Sequence, residues 1–210
     1  MASPDHGHEH DDHAHDDHAH PGHEHGDHAH GASPHGTPGH VHDDSCAVAH
    51  GTAAVPVQDK TVAAVFATPV ASYLLRYAAD AGYRAILVEP DPDRAKSVTA
   101  DGFELTESLD GIDPEETDVV VTDHHRDELG VQLRDALAVG TRWVGIMGNP
   151  RHEGPHIAAL TELGVPASEI GKVRRPIGLN IGSRTPAEIA IATIAGLIAD
   201  RNGKPGGFTF

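Results

Sequence analysis

Cysteine is nearly absent from this chain. Cys46 is the single thiol in 210 residues, which excludes an internal disulfide framework and a cysteine-only metal site within one chain. Lysine and arginine are missing from the first 50 residues and number 15 in all, against 32 acidic residues. That balance leaves no basic footprint for nucleic acid. No apolar run approaches the roughly 20 residues of a membrane span. The opening residues also lack the charged-then-apolar pattern of a secretory signal, so the cytoplasm is the expected compartment. Between His6 and His42 large apolar side chains are almost missing. Such a segment cannot offset the roughly 1–2 kcal/mol per residue that ordering a backbone costs, so a disordered tail is expected over residues 1–52.

What fills that tail is histidine. Residues 1–50 hold 15 of the 19 histidines and 10 of the acidic residues. The remaining 160 residues carry 22 acidic against 15 basic, a net of −7 where the whole chain has −17. The body is therefore an ordinary, mildly acidic domain of sufficient size to bury a core. In the tail, units such as Asp12-His13-Ala14-His15 and Asp17-His18-Ala19-His20 repeat a His-x-His spacing. That spacing lets imidazoles converge on one ion, with carboxylates adding oxygen ligands. The candidate ligands are His6, His8, His10, His13, His15, His18, His20, His23, His25, His28 and His30, and their chemistry suits Ni, Zn or Cu. An inert low-complexity extension is the competing reading. Cys46 and His50 are spaced to join a metal site, though an exposed, unremarkable thiol is the simpler reading.

From about Ala53 the composition turns apolar, and a domain is expected over residues 53–203, with a flexible end at 204–210. Thr61 to Phe66 is a β-branched run, Pro69 to Gly82 has helical periodicity, and Arg84 to Glu89 is a second apolar run. Strand, helix and strand within about 30 residues predict a βαβ unit and a parallel sheet. A dinucleotide-binding unit would carry G-x-G-x-x-G in the first turn and an acid after the second strand. Glu89 supplies the acid, but the turn reads Phe66-Ala67-Thr68-Pro69-Val70-Ala71 without glycine, which argues against NAD. A short helix is expected from Arg94 to Ala100 and a short strand at Phe103–Leu105. Further strands are expected at Asp118–Thr122 and Trp143–Met147, and helices at Leu129–Val139, Pro155–Leu163, Pro166–Ile170 and Pro186 to about Ala199. The last helix is expected to bury Ile189, Ile191, Ile194, Leu197 and Ile198. The fold class is thus α/β, a Rossmann-like open parallel sheet flanked by helices.

Ligands of open α/β sheets bind outside the carboxyl ends of strands. Two polar clusters fall there: Asp123-His124-His125-Arg126-Asp127, for which a solvated loop with helix-capping acids is the alternative, and Gly148-Asn149-Pro150-Arg151-His152. In an extended segment His124 and His125 would point to opposite sides. A third cluster is Arg174-Arg175-Pro176-Ile177-Gly178-Leu179-Asn180-Ile181-Gly182-Ser183-Arg184-Thr185-Pro186-Ala187-Glu188. Thr185 reads as a helix N-cap, Pro186 as the first helical residue and Glu188 as the partner of a capping box. Glycines and arginines around the positive end of a helix make an anion site the alternative to simple packing.

Thr122-Asp123-His124, Gly145-Ile146-Met147-Gly148 and above all Pro176 to Ala190 resemble the C-terminal Rossmann-like domain of the XdhC/CoxI family, accessory proteins of xanthine dehydrogenase and related molybdenum hydroxylases. The similarity covers roughly residues 60–201. It implies a non-enzymatic maturation factor that binds the molybdenum cofactor, protects it and assists its sulfuration and insertion. The implied partners are the molybdenum hydroxylase apoprotein and a cofactor sulfurase, and a homodimer is compatible with it. The cofactor would lie in a crevice formed by Asp123, His124, Arg151, Gly178, Gly182, Ser183, Arg184 and Thr185. This chain departs from the family's usual pattern at Ala67, Thr68 and Pro69, at Asn180 and Ser183, and at Asn149-Pro150-Arg151. The family's usual N-terminal domain, with its functional cysteine, is expected to be replaced here by the histidine tail. Two other functions stay open at this point: a metallochaperone or metal store working through the tail, and an NAD(P)-dependent oxidoreductase resting on Glu89 alone.

Overall fold

The computed structural model describes residues 44–54, 59–96, 102–149 and 151–207. The tail histidines from His6 to His30 lie outside them, as do Pro150 and the expected helix end at Ala100. The elements in chain order are α1 (Asp44–Ala49), β1 (Thr61–Val65), α2 (Pro69–Asp80), β2 (Arg84–Val88), α3 (Pro92–Ala95), β3 (Glu104–Thr106), β4 (Thr117–Val121), α4 (Leu129–Val139), β5 (Trp143–Ile146), α5 (Pro155–Glu162), α6 (Ala167–Ile170) and α7 (Pro186–Arg201). No described helix is long and apolar enough to cross a membrane.

The five strands form one parallel sheet in the order β3-β2-β1-β4-β5. Strand side chains alternate between its two faces. Ala63, Val65, Ile86, Val88, Val119 and Val121 pack on one face with Leu133 of α4 and Leu160 of α5. Val62, Ala64, Leu87 and Val120 pack on the other, with Leu74 and Leu75 of α2 and Ile194 and Leu197 of α7. Burial on both faces explains why the strands read as continuous apolar runs instead of alternating ones. Each large aliphatic buried this way contributes roughly 1.5–3 kcal/mol.

The caps follow the sequence closely. Thr68 caps α2 by accepting from the Ala71 N–H at 3.0 Å, with Pro69 opening the helix. Gly140 closes α4 in the left-handed conformation. Thr185 and Glu188 form the expected capping box on α7. Arg174 lies extended beside the edge strand, donating its N–H to Val144 and accepting from Ile146.

Two expectations are corrected. The short helix after β2 begins at Pro92 with Asp91 as its N-cap, whose carboxylate accepts from Asp93 and Arg94. Asp-Pro is itself a helix-start signal, so the start falls two residues before Arg94. On α7, Ile191 is 47% exposed, and the buried positions are Ala190, Ala192, Thr193, Ile194 and Leu197. With isoleucines and alanines all around that helix, hydrophobicity alone did not select its inner face.

Candidate functional site

The strand order reverses between β1 and β4, and the crevice at that switch point is where a parallel sheet presents ligands. Its walls here are bonded to each other. The Thr122 hydroxyl donates toward the carbonyls of Val65 and Phe66, both at 3.0 Å, and lies 3.0 Å from the Thr68 hydroxyl. Phe66, at the first position of the turn, is fully buried and adopts φ 76°. A left-handed conformation is one that a bulky residue holds only when its surroundings fix it. What fixes Phe66 is packing, including the Arg126 guanidinium 4.5 Å above its ring.

Glu89 is the acid that would meet a ribose in a dinucleotide site, and it is fully engaged inside the protein. It is 1% exposed. One oxygen accepts the Ala67 N–H at 2.7 Å and the other the Asp91 N–H at 3.0 Å. Arg126 clamps both oxygens, at 3.2 and 3.0 Å, and extends to Glu128 at 3.0 Å. A carboxylate of the chain itself thus sits on the turn amide. Burial opposes the charge of Arg126, but hydrogen bonds and charge from Glu128 and Glu89 more than compensate, holding its pKa above the ordinary arginine value. Arg126 belongs to the polar cluster expected after β4, but its reach back to Glu89 was not foreseen, because in His124-His125-Arg126-Asp127 it looks like one more solvated charge.

Beyond β4 the chain bends, and this corrects the expectation for the histidine pair. The His124 and His125 rings lie 4.0 Å apart, centroid to centroid, on the same side. Asp123 folds back to accept the His125 N–H at 2.9 Å. Burial and the His125 imidazole hold His124 below its ordinary pKa; Asp123 opposes this, Arg175 adds to it, and a hydrogen bond to the Met147 backbone works the other way.

Beyond β5, Asn149 accepts the Arg151 N–H at 3.0 Å, and Arg151 itself is exposed. Arg175 braces this loop from beneath, donating to the carbonyls of Asn149 at 2.8 Å and His152 at 2.9 Å. Its charge reaches both His124 and His156. His156, in the first turn of α5, is 6% exposed and held below its ordinary pKa by burial and then by Arg175. Neither Arg175 as a brace nor His156 as a buried group was foreseen. The signal for His156 was its place four residues before Leu160 on the inner face of α5.

The residues around α7 divide into two groups. Gly178 is architectural: its φ is 83°, and a Cβ there would lie 3.0 Å from the Ala192 carbonyl carbon and oxygen. Gly182, Ser183, Arg184 and Thr185 lie at the N-terminus of α7. That end points to the carboxyl edge of the sheet, because Arg201 at the other end binds Asp118 near the start of β4. The amides of Arg184, Thr185 and Glu188 are filled, however. Glu188 accepts from Arg184 N–H at 2.7 Å and Thr185 N–H at 3.1 Å, and these bonds depress its pKa. Among the described residues no hydrogen bond or ion pair joins Arg184 to Asp123 or His124. Nor, among the described residues, do three or more His, Cys, Asp or Glu side chains converge to hold a metal. A surface hollow of about 400 Å³ lies at the opposite end of β5, between Arg142, Lys172 and Arg174. Two of these cations are committed, Arg142 to Asp118 and Asp200 and Lys172 to Glu169.

The model of the XdhC Rossmann domain matches residues 62–197. The chain belongs to the XdhC family. The span covers all five strands, the crevice and most of α7, so the internally filled turn lies within the XdhC domain. The uncharacterized protein YqeB of Escherichia coli strain K12 is 32% identical over 102 residues, 48% of this chain and 18% of that protein. A crystal structure described as a xanthine dehydrogenase from Bacillus halodurans aligns with a TM-score of 0.56 at 23% identity, over 69% of this chain and 45% of that one. At that identity it shows the shared fold. The XdhC chain thus spans under a fifth of its curated relative and under half of the solved one.

Proposed function

We propose that this XdhC chain is an accessory factor of a molybdenum hydroxylase of the xanthine dehydrogenase kind, and that it binds rather than transforms its ligand. The observation that carries this reading is the filled turn within a matched XdhC Rossmann domain. Glu89 covers the Ala67 amide and is itself locked by Arg126, which takes an amide a pyrophosphate would use at the turn and leaves no free acid for a ribose. An oxidoreductase using NAD(P) needs both. The ligand of this reading is the molybdenum cofactor, an anionic pterin carrying a phosphate. It would lie along the carboxyl edge of β4 and β5, where His124, Arg151 and Arg175 supply donors and positive charge. The partners are the apo-hydroxylase and the cofactor sulfurase, with cofactor protection, sulfuration and insertion as the task. Protein purified untagged from its native host is expected to carry molybdenum and pterin, or to take up released cofactor in vitro. Neither retention nor uptake, under conditions where another XdhC protein shows it, overturns the reading.

A second activity is favoured by the composition of the tail. Fifteen histidines within 50 residues, many spaced His-x-His among carboxylates, form a collection of weak to moderate sites for Ni, Zn or Cu. The full chain is expected to take up several divalent ions in calorimetry, and a chain beginning at Ala53 is expected to lose most of that capacity. Equal uptake by both would remove the tail from metal binding.

A further inference from the structure

Arg175 is a guanidinium without a counter-charge. Among the described residues it forms no ion pair; its two bonds go to the neutral carbonyls of Asn149 and His152, and its buried Nε has no partner. Beside it the buried Nδ1 of His156 also has no partner. Buried donors and acceptors are nearly always satisfied, so two orphans in one place call for an explanation. Both face glycines. A Cβ on Gly148 would come within 2.6 Å of Arg175 Nε, and one on Gly154 within 2.4 Å of His156 Nδ1 and 3.3 Å of Arg175 Cδ. Gly154 is the N-cap of α5, and no side chain caps that helix. In the first turn of α5 Pro155 has no N–H and Ile157 donates to Gly154, so the His156 N–H is the backbone donor left, with a buried imidazole nitrogen beside the cap and an uncompensated cation next to it.

α4 and α6 also lack a side-chain cap; the contrast is with α2 and α7, whose starts lie at the same edge of the sheet. The α2 turn is covered by Thr68 and Glu89 and the α7 turn by Thr185 and Glu188. The α5 end has Arg175 in place of a carboxylate. Asp123, the acid that acts on the neighbouring His124, is engaged with the His125 amide. An uncapped helix start, an unpaired guanidinium and an unpartnered imidazole nitrogen together are complementary to one class of ligand, a tetrahedral oxyanion.

We propose that the carboxyl edge of β5 is an oxyanion seat in which Arg175 holds a phosphate-class anion, with His156 Nδ1 and the His156 N–H as its other donors. Arg175 is half-buried, so the anion reaches the guanidinium from solvent and replaces the two carbonyls, weaker partners than a charged oxygen. His156 Nδ1 carries a proton in one neutral tautomer and in the imidazolium, and donates in either form. This deepens the cofactor reading and rests on it for the identity of the anion: the seat takes the phosphate end of the pterin, and Arg184 at α7 does not. The same chemistry would accept a free inorganic oxyanion.

The test measures inorganic phosphate and phenyl phosphate binding to the full chain, by calorimetry and by the rise in melting temperature that a native-state ligand gives. The expected result is saturable binding of at least one probe, weakened about tenfold or more in Arg175→Gln and unchanged in Arg184→Gln. Because Arg175 also braces a loop, Gly148→Ala is the second variant. It leaves Arg175 in the chain, but its new Cβ competes with the guanidinium for the same space, so it is expected to weaken binding as well. Phenyl phosphate binding as well as phosphate identifies the end of a larger molecule as the anion; phosphate alone identifies a free ion, and both place it at the seat. Absence of binding of either probe overturns the proposal, as does full affinity in Arg175→Gln and Gly148→Ala, or loss confined to Arg184→Gln. Cofactor uptake that is indifferent to Arg175→Gln, with no phosphate bound, removes the seat and spares the accessory reading. Phosphate held on Arg175 by a protein that never takes up cofactor does the reverse.

Discussion

Replacing Glu89 by alanine is expected to lower the stability of the protein by about 3–5 kcal/mol, the range for breaking a buried ion pair from one side. The carboxylate satisfies four donors at once: the amides of Ala67 and Asp91 and two nitrogens of Arg126. Alanine removes the acceptor and leaves Arg126, whose side chain is 6% exposed, without its best-shielded partner. Glu128 remains, but it is 40% exposed and its attraction is screened by water. Phe66 would feel the loss next, since Arg126 helps hold its ring in a backbone conformation unfavourable for a bulky residue. Urea unfolding monitored by circular dichroism measures the effect. A loss below about 1 kcal/mol would show that the clamp contributes no more than a surface pair. The same experiment separates two roles for this acid. A ribose ligand could be removed with little change in stability and a large change in dinucleotide binding, whereas a clamp gives the opposite pattern.

Much of this fold was legible because each local signal agreed with the next. Thr185, Pro186 and Glu188 specify a helix start through side-chain chemistry that needs no tertiary partner. The runs Thr61–Phe66, Arg84–Glu89 and Asp118–Thr122 specify buried parallel strands through length and β-branching. The candidate site was legible only as an address, the carboxyl edge of the sheet. Which charge meets which is decided by loops whose course depends on packing: Arg126 reaches back 37 residues to Glu89, and Arg175 reaches 26 residues back to Asn149. No spacing rule joins residues that far apart. The α7 turn illustrates the limit from the other side. Its glycines and arginines looked like an anion site, yet the glutamate that identifies the helix start is also the anion that occupies it.

At the amino edge of the sheet, Asp118→Asn is expected to cost a further stability loss of about 3–5 kcal/mol. Asp118 is wholly buried and accepts from Arg142 Nε at 2.6 Å and Arg201 Nε at 2.7 Å. Asparagine keeps the volume, so packing is preserved, while the charge and one of the two acceptor oxygens are removed. Arg201, with a side chain 6% exposed, would lose its buried counter-charge and share the one remaining oxygen with Arg142, keeping Glu116 and the ring of Tyr83 at 5.6 Å. It ties the last turn of α7 to β4, the strand that carries Asp123 and His124 at its other end. Loosening it should therefore raise hydrogen exchange first in the last turn of α7 and in β4, while α4 and α5, packed on the opposite face, stay protected. Glu104→Gln breaks the Arg84–Glu104 pair, whose partners are 52% and 47% exposed. There the expected cost is below about 1 kcal/mol. If the two substitutions cost the same, burial is not what gives Asp118 its weight, and α7 is held to the sheet by its apolar face alone.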